Sequence, residues 1–145
     1  MPVHAQSTKE SGISPKARRK ARIFALQALY QWSYTHTNLN ELETQYMISN
    51  NHHRVDWGYF SELVHGVPGC LAELDEVLQK ASELPLKDMS PIELHILRLA
   101  VFEFTHCKIP GPVVINEYVD IAHEYGTEEG YRFVNGVLDK AIKRI

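Results

Sequence analysis

Between Pro91 and His106 apolar side chains fall on almost every side of a helix: Ile92, Leu94, Ile96, Leu97, Leu99, Ala100, Val101, Phe102 and Phe104. A helix that is apolar nearly all round has no solvent face and must be enclosed by other elements. The segment opens with Ser90-Pro91-Ile92-Glu93, which has capping-box spacing with proline at the first helical position. Whatever fold the chain adopts has to be built around this stretch.

The rest of the sequence offers only helices to enclose it. Ser14-Pro15 is a helix start, and Ala17, Ala21, Phe24, Ala25, Ala28 and Trp32 then recur at three- and four-residue spacing to about Thr35. Asn38-Leu39-Asn40 marks a turn and cap before a short helix to Ile48 that uses Leu42, Tyr46 and Met47. A third helix begins near Asp56 with Phe60, Leu63, Val64 and Val67. Pro68-Gly69 kinks or splits it, and the period resumes at Leu71, Leu74, Val77 and Leu78. After Pro110-Gly111-Pro112, one apolar arc runs through Val114, Ile115, Tyr118, Ile121 and Ala122. Gly126 fits a left-handed stop, and Thr127 caps a last helix holding Phe133, Val134, Val137, Leu138 and Ala141. No segment alternates as a strand does. The reading is all-α, with six or seven helices: a flexible tail over 1–14, an N-terminal helical subdomain over 15–84 and a C-terminal one over 85–145.

Charge is distributed unevenly. Residues 1–22 carry six basic side chains and one acidic, while the remaining 123 carry nine basic and seventeen acidic, giving +5 against −8 and a net charge of −3. Lys16, Arg18, Arg19, Lys20 and Arg22 spread over about 200° of the first helix at 100° per residue, opposite the alanine stripe, so they are expected on solvent. Gln27 and Tyr30 follow on the side of Arg19 and Lys20. Guanidinium groups fork onto phosphates and an aromatic ring stacks an unpaired base, so this juxtaposition suits RNA. From the charge run alone, a solvated helical face is the ordinary reading.

Other functions find little support. There is no 18-residue apolar run and no apolar N-terminal region of the secretory type, so no membrane span or export signal is expected. Cys70 and Cys107 are isolated and read as reduced thiols of a cytoplasmic chain. None of the eight histidines forms HExxH or a Cys/His metal spacing, and phosphate-loop and nucleophile-elbow motifs are missing, so neither a metal nor a catalytic centre is expected. Glu128-Glu129 suits the dipole of the last helix. Glu103 interrupts an apolar arc, which leaves it either satisfied inside the core or facing a protein partner.

The run Lys16-Ala-Arg-Arg-Lys-Ala-Arg, followed by Ala28-Leu29-Tyr30-Gln31-Trp32, resembles the arginine-rich first helix of the bacterial antitermination factor family NusB. Val114-Ile115-Asn116-Glu117 is similar to its fifth helix, and Phe133-Val134-Asn135-Gly136-Val137-Leu138-Asp139-Lys140 to its most diagnostic motif. The resemblance covers about residues 16–145. It implies one all-helical domain of two three-helix bundles, without cofactor or catalytic activity. It implies binding of boxA-type single-stranded RNA of ribosomal RNA transcripts, jointly with ribosomal protein S10 (NusE). That complex joins RNA polymerase and other Nus factors and carries transcription through terminators. The RNA surface it implies is Lys16, Arg18, Arg19, Arg22, Gln27 and Tyr30, completed by Glu129 and Phe133. Phe133 lies at the edge of its apolar stripe and reads equally well as core. Glu93 and Glu103 are the candidates for S10, whose basic surface acidic groups complement. Exposed apolar surface reserved for S10 also leaves a homodimer open.

Two features depart from the family: the long N-terminal tail and Pro68-Gly69. The same helical domain occurs fused to ribosomal RNA cytosine methyltransferases, but a chain ending at Ile145 leaves no room for a methyl-donor domain, so a non-enzyme is expected. A protein-only helical adaptor is the third reading.

Overall fold

A computed structural model of the chain describes residues 14–145. The expected flexible tail over 1–14 lies outside the described residues, save Ser14. Among the described residues there are seven α-helices and no strand, as the periodicity predicts. They are α1 (Pro15–Thr35), α2 (Leu39–Ser49), α3 (Trp57–Gly69), α4 (Leu71–Ala81), α5 (Pro91–His106), α6 (Gly111–Tyr125) and α7 (Gly130–Arg144), with a 3-10 turn at Leu86–Asp88. The chain divides into two compact units, Met1–Gly66 and Val67–Ile145. The division falls inside α3, earlier than the Leu84-Pro85 break that marks the expected boundary. α4 sits with the second unit because it packs on α5 and α7.

In the first unit α1 starts as its sequence dictates: the Ser14 hydroxyl accepts from the Ala17 amide at 3.1 Å, and Pro15 occupies the first turn. Asn38 caps α2 through the Asn40 and Glu41 amides. An aromatic cluster forms the core, with Phe24 stacked on Trp57 at 6.0 Å and Tyr46 and Trp57 both against Phe60. Leu42 is buried in α2 and Tyr46 half-buried, whereas Met47 is exposed. The Glu43 carboxylate, 2.9 Å from His65 Nε2, ties α2 to α3.

In the second unit α5 is enclosed by α4, α6 and α7, which answers its nearly all-round apolar surface. Ile96, Leu97, Leu99, Ala100 and Val101 are fully buried. Asp75 of α4 takes a two-pronged bond from Arg98 of α5, at 2.8 and 2.9 Å. α3 runs on through Pro68 to Gly69, and α4 starts anew at Leu71, so the helical period is split here.

Two expected caps are replaced. Ser90 makes no side-chain cap on α5, and Glu93 turns elsewhere. Gly126 has φ −89°, not a left-handed value; glycine serves there because a Cβ would fall 2.7 Å from the Ala122 carbonyl oxygen.

His95 of α5 is 3% exposed, and its Nδ1 is buried without a hydrogen-bond partner. Burial, then the nearby Arg98 charge, push its pKa down to about 4. Because the unfolded imidazole titrates near 6.5, the unfolded chain binds the extra proton between these values. Stability is therefore full above about pH 6.5 and falls toward pH 4, by up to about 3 kcal/mol. Urea unfolding at stepped pH should show this loss, and His95→Leu should flatten it.

Candidate nucleic-acid interface and buried carboxylates

The cationic block divides between two tasks. Arg18 and Arg22 are only 7% and 5% exposed, which corrects the expectation that all five cations face solvent. Arg18 Nε donates to Asp56 Oδ2 at 3.1 Å, and its guanidinium lies over the Tyr59 ring at 3.9 Å. Arg22 lies 5.7 Å from the same ring. Asp56 Oδ1 meanwhile accepts from the Tyr59 amide at 3.1 Å, capping the start of α3, and the Asp56 amide donates to the Ala17 carbonyl. An arginine stem follows apolar surface readily, and the ring of Tyr59 and the carboxylate of Asp56 satisfy its head. Helical angles alone could not show this, because Asp56 and Tyr59 arrive from another helix.

The other cations line a groove. Lys16, Arg19 and Lys20 of α1, with Arg54 from the loop before α3, border a cavity of about 550 Å³ whose floor is Ser14, Ala17 and Ile23. Arg54 was not among the sequence candidates; the His52-His53-Arg54 cluster is the signal that marks it. Burial first, then the charges of His52 and Lys20, push His53 below its ordinary value. Farther along α1, Gln27 is exposed and Tyr30 half-buried. The Tyr30 ring meets Tyr34 edge-on at 5.0 Å, and a side-chain hydrogen bond with Tyr34 raises its phenol. Lys16, Lys20, Gln27, Tyr30 and Tyr34 repeat at helical spacing, so one face of α1 carries cations at its start and an amide and rings toward its end, over about 27 Å.

The second unit holds the remaining candidates. Glu129 is exposed and borders a groove with His123, Glu128, Tyr131 and Arg132. Phe133 is half-buried and borders another with Leu84, Arg132, Gly136 and Lys140. Arg132 lines both grooves and was missed in the sequence, where it is a lone arginine.

The two partner candidates prove to be internal. Glu103 is fully buried, and its carboxylate accepts from the Tyr118 hydroxyl. Of the two sequence readings, satisfaction inside the core is the one observed. Glu93 is 7% exposed, and its Oε2 accepts from the Thr127 amide at 3.2 Å and the Thr127 hydroxyl at 3.0 Å. Thr127 thus serves Glu93 rather than capping α7, which starts only at Gly130. A Cβ on Gly130 would fall 1.8 Å from that carboxylate, so this position admits only glycine while Glu93 holds the turn. Both carboxylates are engaged within the chain and hold elements that carry surface residues.

Comparison with known proteins places the chain. The NusB family matches residues 19–143. The transcription antitermination protein NusB of Pseudomonas entomophila (strain L48) is 46% identical over 129 residues, covering 88% of this chain and 78% of that protein. Its counterpart in Idiomarina loihiensis is 44% identical over 131 residues, covering 90% and 94%. Among solved structures, the crystal structure of antitermination factors NusB and NusE in complex with dsRNA is similar at TM-score 0.81 and 29% identity, over 91% of this chain and 100% of that one. T. maritima NusB is similar at TM-score 0.76 and 29% identity, over 87% and 90%. With a family match running from within the cationic block nearly to the C-terminus, and relatives 44–46% identical over most of their own length, the chain belongs to the NusB family.

Proposed function

We propose that the chain is a non-enzymatic, cytoplasmic transcription antitermination factor that grips boxA-type RNA of ribosomal RNA transcripts jointly with ribosomal protein S10 (NusE). The resulting complex acts on RNA polymerase with other Nus factors. The observation that carries this reading is the groove of Lys16, Arg19, Lys20 and Arg54 at the start of α1. Cations at a helix N-terminus oppose the helix dipole, and no acidic residue in the first turn of α1 offsets them. Such a placement serves an anion rather than the helix. Phosphates entering the groove meet four cations and the positive end of a 21-residue helix. Gln27 and Tyr30 then meet the bases, the first by hydrogen bonding and the second by stacking.

In this reading Lys16, Arg19, Lys20 and Arg54 contact phosphate, while Arg18 and Arg22 act by holding α1 on Tyr59 and Asp56. Glu129 and Phe133 supply a base acceptor and a ring from the second unit. Glu93 acts by shaping the turn before Glu129, and Glu103 by fixing α6 through Tyr118. Among the described residues no helix is long and apolar enough to cross a membrane, which accords with a factor that meets nascent RNA. The solved NusB–NusE complex holds double-stranded RNA, so single- and double-stranded boxA belong in the same assay.

RNA titration of the chain with S10 at several salt concentrations tests the groove. Four phosphate contacts should give a log–log slope of about −3 on single strands. Lys16→Ala, Arg19→Ala, Lys20→Ala and Arg54→Ala should each weaken binding and reduce the slope by about 0.7, with unchanged unfolding midpoints. Equal affinity for boxA and scrambled RNA would favour the protein-only adaptor, and methyl transfer to RNA would overturn the non-enzymatic reading.

Arg18→Ala should behave differently, because it strands the buried Asp56 carboxylate. A stability loss of about 3 kcal/mol in chemical unfolding is expected, along with lost RNA binding. Tyr30→Ala should keep stability and salt slope while losing about 1–3 kcal/mol of RNA affinity, the worth of one stacked base.

A further inference from the structure

The break at Pro68-Gly69 plays no part in the proposed RNA surface, and it leaves Cys70 at the junction between α3 and α4. One turn on, Glu73 stands in the first turn of α4, and His106 in the last turn of α5 faces both. One ligand atom from each, the Cys70 thiol sulfur, a Glu73 carboxylate oxygen and a His106 ring nitrogen, all lie within 4.8 Å of one another. The sequence could not show this grouping, since α4, a connecting segment and α5 lie between Cys70 and His106.

We propose that Cys70, Glu73 and His106 form a binding site for one divalent zinc-type cation, with a fourth position open to water. The donor set is chemically apt. Zinc takes thiolate, imidazole and carboxylate at about 2.0–2.3 Å in tetrahedral array, and these three atoms need only small side-chain rotations to close to such distances. The His106 ring stacks on Phe102 at 5.0 Å and 16°, with Nε2 3.0 Å from Glu73 Oε2; coordination through Nε2 replaces that contact and leaves the neutral ring's proton on Nδ1. Cys70 is half-buried and Glu73 and His106 exposed, so an ion can enter.

Charge and protons balance. A cysteine thiol ordinarily carries its proton at neutral pH, so Cys70 enters the site as the thiol. Binding displaces that proton to solvent, and the thiolate and carboxylate together neutralise the cation. The ion would clip the start of α4 to the end of α5, stabilising the second unit by mass action. None of the three residues belongs to the proposed RNA surface.

The test is cobalt(II) and zinc titration of the full chain after reduction and chelation. One equivalent of cobalt should give thiolate-to-cobalt charge-transfer absorption, zinc should bleach it, and zinc should raise the thermal midpoint. Cys70→Ser should abolish the band, and Glu73→Gln and His106→Asn should each weaken zinc binding about tenfold or more. Cys107→Ala should leave the band intact. A missing band, or zinc binding that survives the combined Cys70, Glu73 and His106 variant through the remaining histidines, would overturn the site. RNA binding of the Cys70→Ser protein should be unchanged, so a failure here leaves the RNA reading standing.

Discussion

The carboxylate of Asp56 fixes the first unit at the point where its surface chemistry is assembled. One oxygen caps α3 through the Tyr59 amide, the other takes the Arg18 guanidinium, and its own amide bonds the Ala17 carbonyl. Three constraints on one residue set the position of α3's start against α1's first turn. The energetic asymmetry is large. A buried pair contributes little relative to an apolar replacement of the same shape, but removing one partner leaves a desolvated charge. The arrangement therefore specifies geometry more than it adds stability. Arg54, two residues before Asp56, is delivered to the groove by that geometry.

This explains why five neighbouring cations do not act alike. Lys16 and Lys20 lie on the same helical face as Gln27 and Tyr30, while Arg18 and Arg22, four apart, lie on the face that meets Tyr59. Arginine suits the inner face because its guanidinium is weakly hydrated and stacks on an aromatic ring, which an ammonium does poorly.

Much of the fold was legible because it depends on local patterns. Ser14-Pro15, Asn38 and the apolar periods each carry their own physical signal, and the near all-round apolar surface of α5 required enclosure. The solvent placement of Arg18 and Arg22 failed for a nonlocal reason: a helical wheel measures direction, not what another helix brings to that direction. Glu93 fails the same way. Its capping-box spacing is real, but Thr127 offers two donors to one carboxylate oxygen, an amide and a hydroxyl, and wins. Glu103 was legible only as an anomaly, a carboxylate in an apolar arc, until Tyr118 supplied its partner. Arg54 and Arg132 carried too little local signal to stand out. The resemblance to NusB supplied the function, and composition did not.

Glu93 also shows how a buried acid can govern a surface without reaching it. Its carboxylate occupies the space a side chain at Gly130 would need, so glycine is forced at the first residue of α7. Glycine is a poor helix former, costing about 1 kcal/mol against alanine within a helix. At a first turn the cost is smaller, and the two bonds from Thr127 compensate it. The result is a turn fixed from beneath, on which Glu129 stays exposed while Phe133, one helical turn on, sits half-buried at the edge of the apolar stripe. Loss of Glu93 would release the Thr127–Gly130 turn and displace Glu129 without removing any exposed charge. An effect of that substitution on partner binding would therefore report a reshaped surface, not a missing contact.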